Sequence, residues 1–205
     1  MQTVFTYEPN RDSLIVNKSE IYRYLGYKTG MDLPKEIETS VEEILDNVLK
    51  QSVPKVCYKY FETKVGEQVD FGFVNVESKE LASNLEGCTE TVIFGATIGI
   101  YTDRQIQKEQ ILSPVRALIY QAVGAAAVEA VCDDFNEWIR QKEKEKGRDI
   151  CPRFSPGYGD VSLSIQKSIF QELSLAKLAG ITLTDSLLMI PEKSVTAIIG
   201  IKNKK

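Results

Sequence analysis

One long helical pattern constrains this chain more than any other feature: it opens at Ser113-Pro114 and runs to about residue 146. A serine cap followed by proline in the first turn is a start signal, because the hydroxyl can accept an orphan N–H and proline lacks a donor the first turn does not use. At ~1.5 Å per residue the helix would reach roughly 50 Å. Its character changes halfway. Residues 117–132 are apolar nearly all round and must be enclosed, whereas residues 133–146 are charged and are expected to reach solvent. Other elements of this 205-residue chain must therefore wrap the first half of the helix.

Those elements are legible as periodicities. Asn17 can cap a short helix over residues 18–25, and Pro34 opens a second over 35–50 with Ile37, Val41, Ile44, Leu45 and Val48 at helical spacing. Residues 56–61 and 69–74, rich in aromatic and β-branched side chains, read as strands, and residues 91–98 as a buried strand. Ser78 caps a short helix, and residues 101–111 read as another. After the long helix, residues 148–160 form a loop, 161–173 a helix, and 181–183 with 195–201 return to the sheet. Without repeated βαβ units, this order predicts an α+β fold, a single domain over residues 1–205 with a mainly antiparallel twisted sheet and a long central helix.

Several function classes drop out. The chain has no histidine, so Ser-His-Asp and Cys-His nucleophile systems and histidine-ligated zinc are excluded. Cys57, Cys88, Cys132 and Cys151 are scattered without a Cys-x-x-Cys pair and read as reduced structural thiols. A net charge of −4 gives no electrostatic footprint for nucleic acid, and the end Lys202-Asn-Lys-Lys205 reads as a solvated tail. The longest apolar run, residues 122–128, is far short of the ~20 residues of a membrane span, and the N-terminus lacks the form of a signal peptide, so the expected location is cytoplasmic. Gly95-Ala-Thr-Ile-Gly99 is too sparse for a dinucleotide loop.

Two places can carry chemistry. Arg153-Phe154-Ser155-Pro156-Gly157-Tyr158 confines a cation, a bend and a phenol to six residues. Pro156 fixes φ and Gly157 permits φ > 0, so backbone groups can approach a ligand, and Arg153 can hold a carboxylate bidentately. The alternative is an ordinary Pro-Gly turn beside a solvated arginine. Glu129 lies on the stripe Leu118, Ala122, Ala125, Glu129, Cys132 of the apolar half-helix, where a carboxylate requires a cation or several donors. An internal ion pair with an arginine is one way of meeting that need; a ligand is the other.

The hexapeptide, the helix segment Ala127-Val-Glu-Ala-Val131 and the stretch Leu183-Thr-Asp-Ser-Leu-Leu-Met-Ile-Pro-Glu-Lys-Ser-Val195, taken in this order, resemble the activation domain of cobalamin-dependent methionine synthase. That family has an Arg-x-x-x-Gly-Tyr loop between a Glu-bearing helix and a Leu-Thr-(Asp/Glu)-Ser-x-x-Met-x-Pro-x-x-Ser-Val segment. The likeness covers residues 90–200 well, while 1–85 match poorly and are read as a branch-specific part. It implies that the chain binds S-adenosylmethionine, with Glu129 on its amino group, Arg153 on its carboxylate, Ser155 and Gly157 giving backbone contacts to the adenosine part, and Tyr158 at the ligand or facing a partner's corrin. It also implies a cobalamin carried by the partner, since the chain has no histidine to ligate cobalt. The expected role is a stand-alone activation subunit for a methionine synthase lacking that domain, with a flavodoxin-like electron donor. Alternatives are reactivation of another corrinoid protein, or an adaptor that has lost ligand binding. The chain ends before the family's C-terminal tyrosine-containing contact, and it offers no secure match to the family's early aspartate.

Overall fold

The computed structural model describes residues 3–28 and 31–203. The chain runs β1 (Phe5–Tyr7), α1 (Lys18–Tyr24), α2 (Lys35–Gln51), β2 (Lys55–Glu62), β3 (Lys64–Val65), β4 (Val69–Asp70), β5 (Asn75–Val76), α3 (Lys79–Asn84) and β6 (Glu90–Thr97). It continues through α4 (Tyr101–Leu112), α5 (Pro114–Lys144), β7 (Arg148–Ile150), α6 (Gln166–Glu172), α7 (Leu175–Leu178), β8 (Thr182–Leu183), β9 (Met189–Ile190) and β10 (Ser194–Asn203). The main sheet has the order β1-β2-β6-β10-β7, every neighbour antiparallel. This is the α+β fold expected: an antiparallel sheet with one long helix packed against it.

The central strands are buried on both faces, which is why they read as continuous apolar runs instead of alternating ones. Val56, Tyr58, Val92, Phe94, Ala96, Ala197 and Ile199 face a helical layer built by α1, α2, α4 and α5. Cys57, Ile93 and Ile198 face the opposite way, into a second core with Leu81, Leu85, Ile169 and Leu175. Leu175 packs directly on the β6 backbone there: a Cβ on Gly95 would come within 2.7 Å of its side chain. All four cysteines are free and buried, and burial pushes the Cys57 thiol up to about 11 and Cys88 up to about 12, so both stay protonated and inert.

α5 corrects the expected split into a buried half and a solvent half. The helix lies along the sheet, so one stripe faces the core for its whole length and another faces outward for its whole length. Phe135 and Ile139 in the charged half are fully buried, and the Phe135 ring lies 4.9 Å from that of Phe94 and 5.1 Å from that of Tyr58. Leu118 in the apolar half is 63% exposed. By length and composition α5 would also pass for a membrane span, but 67% of its most apolar window is buried within the fold, as in the core helix of a globular protein.

Four other expectations shift. Of the strand expected over residues 69–74 only Val69–Asp70 forms, as β4, and it pairs with β3 and β5 in a separate three-stranded sheet. Residues 181–183 do not return to it either, since β8 pairs with β9. The helix expected over 161–173 is a 3-10 turn at Leu163–Ile165 leading into α6. Lys202 and Asn203 extend β10 beside β7, while Lys204 and Lys205 lie outside the described residues. β1 and β7 escape detection because three residues carry too little periodicity to register.

Candidate functional site

The hexapeptide is fixed to the edge of the main sheet. Phe154 exchanges two backbone hydrogen bonds with Ile198 of β10, its N–H donating at 2.9 Å and its carbonyl accepting at 2.8 Å. Just upstream, the Cys151 N–H donates to the Gly200 carbonyl at 2.8 Å. Cys151 and Phe154 both sink into the second core. Arg153, between them, reaches the outward stripe of α5.

There it meets two carboxylates. Arg153 Nη2 donates to Glu129 Oε2 at 2.7 Å, and Nη1 lies 2.8 Å from Asp133 Oδ1. Glu129 and Asp133 are four residues apart on α5, one turn of helix, so their side chains emerge side by side. The Arg153 side chain is 23% exposed, against 45% for Glu129 and 72% for Asp133. Burial by itself lowers the Arg153 pKa, but the neighbouring Cys132, Asp133 and Glu129 outweigh it and hold the guanidinium above its ordinary value. The cation is permanent, and Glu129 is satisfied by the internal ion pair that was one of its two readings.

Beyond Arg153 the chain turns sharply. The Tyr158 N–H donates to the Ser155 carbonyl at 3.1 Å, and Gly157 sits third in that turn at φ +83°, the position where a type II turn requires glycine. The Gly157 N–H donates to the Val161 carbonyl at 3.0 Å. Ser155 and Gly157 are expected to give backbone contacts to a ligand; the Ser155 carbonyl and the Gly157 N–H both have partners inside the loop. Asp160 clamps the loop to α3: its carboxylate accepts the Lys79 N–H at 2.7 Å and the Ser78 hydroxyl. Tyr158 is 69% exposed, its ring edge-on to Phe154 at 5.6 Å between centroids, so it is not a core tyrosine.

A cleft of about 100 Å³ runs between α1 and the outward stripe of α5, lined among others by Asn17, Glu20, Tyr24, Glu129 and Asp133. Two participants were not foreseen. Asp133 had a signal, its i+4 spacing from Glu129. The α1 wall had none, because only the tertiary fold brings residues 15–24 to Glu129.

No family model matches the chain, and no curated protein matches it. Among solved structures it is similar to the crystal structure of the MetH reactivation domain bound to AdoHcy, with a TM-score of 0.69 and 14% identity. The superposition covers 97% of this chain and 78% of that one. The chain has the fold of the MetH reactivation domain. Because it extends over nearly the whole chain, the MetH-like fold takes in the N-terminal residues whose sequence matches poorly. Strands β1 and β2 are rows of its main sheet, and α1 and α2 pack on α5.

Proposed function

We propose that this protein is an activation subunit that binds S-adenosylmethionine for the reductive remethylation of cob(II)alamin held by a partner methionine synthase, in the cytoplasm. The observation that carries the reading is the Arg153–Glu129 pair, set in a fold similar to a MetH reactivation domain bound to AdoHcy. The site fits an amino-acid zwitterion. A planar guanidinium suits the ligand's carboxylate, and a carboxylate beside it suits the ammonium. Asp133, the more exposed of the two acids, is the one a ligand carboxylate displaces from Arg153, leaving Glu129 to meet the ammonium. Tyr158, already in solvent on the same loop, is placed for the remainder of the ligand or for the partner.

S-adenosylmethionine, when bound, supplies an activated methyl group on a sulfonium. The chain's own residues bind and orient it, and positioning is the whole of their task, so the lack of histidine is no obstacle. The partner contributes the corrinoid, and a flavodoxin-like protein the electron.

Isothermal titration with S-adenosylmethionine tests the reading. Arg153→Ala is expected to weaken binding by at least about tenfold, because a charge-assisted hydrogen bond contributes about 1.5–3 kcal/mol. Binding unchanged in Arg153→Ala would remove the carboxylate clamp, and no binding in either form would leave an adaptor.

A further inference from the structure

About two helical turns from Glu129 towards the start of α5, the groove between α1 and α5 opens into a second pocket of about 300 Å³, lined by Tyr24, Leu25, Leu118, Gln121, Ala125 and Lys193. We infer that this pocket binds a small organic carboxylate with an apolar, ring-sized body, held by Lys193 and Gln121 and independent of Arg153.

Three observations point to it. First, Lys193 makes no ion pair among the described residues; its ammonium donates to the Gln121 side-chain oxygen alone. A primary ammonium has three donors, so two remain. The Gln121 side-chain nitrogen likewise meets no protein acceptor among the described residues. One half-buried cation and an amide donor thus share one pocket wall, the donor set that fits a carboxylate. Second, the lysine is held in place by a gap in α5. A Cβ on Gly124 would lie 2.7 Å from Thr102 Cγ2 and 3.1 Å from both Lys193 Cγ and Cε, so the glycine lets Thr102 and the lysine stem close tightly on the helix. Third, the remaining walls, Leu25, Leu118, Ala125 and the Tyr24 ring, are mainly apolar, and the volume is at the small end of ligand pockets.

Burial lowers the Lys193 pKa, more than the nearby Glu192 and Asp103 raise it, so the site is short of negative charge. An entering carboxylate supplies it.

The test uses 3-phenylpropanoate and its neutral counterpart 3-phenylpropan-1-ol, titrated into the 15N-labelled full chain and followed by amide chemical shifts. The acid is expected to give saturable shifts at Tyr24, Leu25, Leu118 and Gln121, at least about tenfold tighter than the alcohol. That preference should vanish in Lys193→Met, which keeps the stem and loses the charge, and persist in Arg153→Ala. Equal affinity for acid and alcohol, no saturable shifts, or shifts that move to residues 153–158 and disappear in Arg153→Ala would each overturn the inference. Since the readout is independent of S-adenosylmethionine, failure here leaves the activation reading standing, and the reverse also holds.

Discussion

Arg153 illustrates how one residue is used twice. In the free protein it neutralises Glu129 and Asp133, and in the proposed complex it trades one of them for the ligand's carboxylate. Because Asp133 is 72% exposed, its pairing is a surface ion pair of little worth. Asp133→Asn is therefore expected to change S-adenosylmethionine affinity by no more than about fivefold, far less than Arg153→Ala, in the same titration. Asp103 gives a second test at this scale. Its Oδ2 accepts the Glu192 N–H at 2.8 Å while Oδ1 is buried with no hydrogen-bond partner among the described residues, and burial raises its pKa above the usual carboxylate value. The folded state thus holds the proton more tightly than the unfolded one, and ionised Asp103 costs stability once pH rises above about 3.9. Asp103→Asn keeps an acceptor and removes the charge. Its melting temperature should exceed that of the parent at pH 7, and the difference should close below about pH 4.

At the scale of elements, α5 is pinned at its C-terminal end by an ion cluster. Glu143 is fully buried and accepts from Tyr60 at 3.0 Å and Lys146 at 2.9 Å, and it pairs with Arg148, which also holds Glu90 at 2.6 Å. Burial alone would raise the Glu143 carboxyl, but Lys146, Tyr60 and Arg148 together hold it below its ordinary value. Its contribution is therefore present above about pH 4.3 and is lost as pH falls through the lower folded value. Glu143→Gln leaves the Arg148 cation only partly matched and should cost about 3 kcal/mol at pH 7, read from urea denaturation. The cluster departs from the expectation that residues 133–146 reach solvent, since Glu143 is buried. The signal was there in Val131, Phe135, Ile139 and Glu143, spaced four apart, which continue the core-facing stripe into the charged half.

Across the whole molecule, the two cores are the two faces of one sheet. Val92 and Phe94 point into the helical layer, while Ile93 between them points into the other. Neither core survives loss of the strands, so thermal unfolding is expected as one cooperative transition. Calorimetry should give equal calorimetric and van't Hoff enthalpies, and two resolved transitions would show instead that the α3, α6 and α7 layer melts separately.

How much was readable follows from what each signal requires. Local patterns required only neighbours in sequence: the Asn17, Ser78 and Ser113 caps, the start of α5, the β6 and β10 runs, and the Pro156-Gly157 turn all lie where the sequence alone determined them. The order of these elements was also enough for the α+β class. Tertiary structure alone decided the rest, because it depends on which surfaces meet. Hydrophobicity cannot say whether Leu118 or Phe135 faces the sheet when both fit a helix. Nor can it say that β8 finds β9 before β10, that Asp133 shares Arg153, or that α1 walls the cleft beside Glu129. Those outcomes are set by long-range packing, in which each stripe's burial depends on every other.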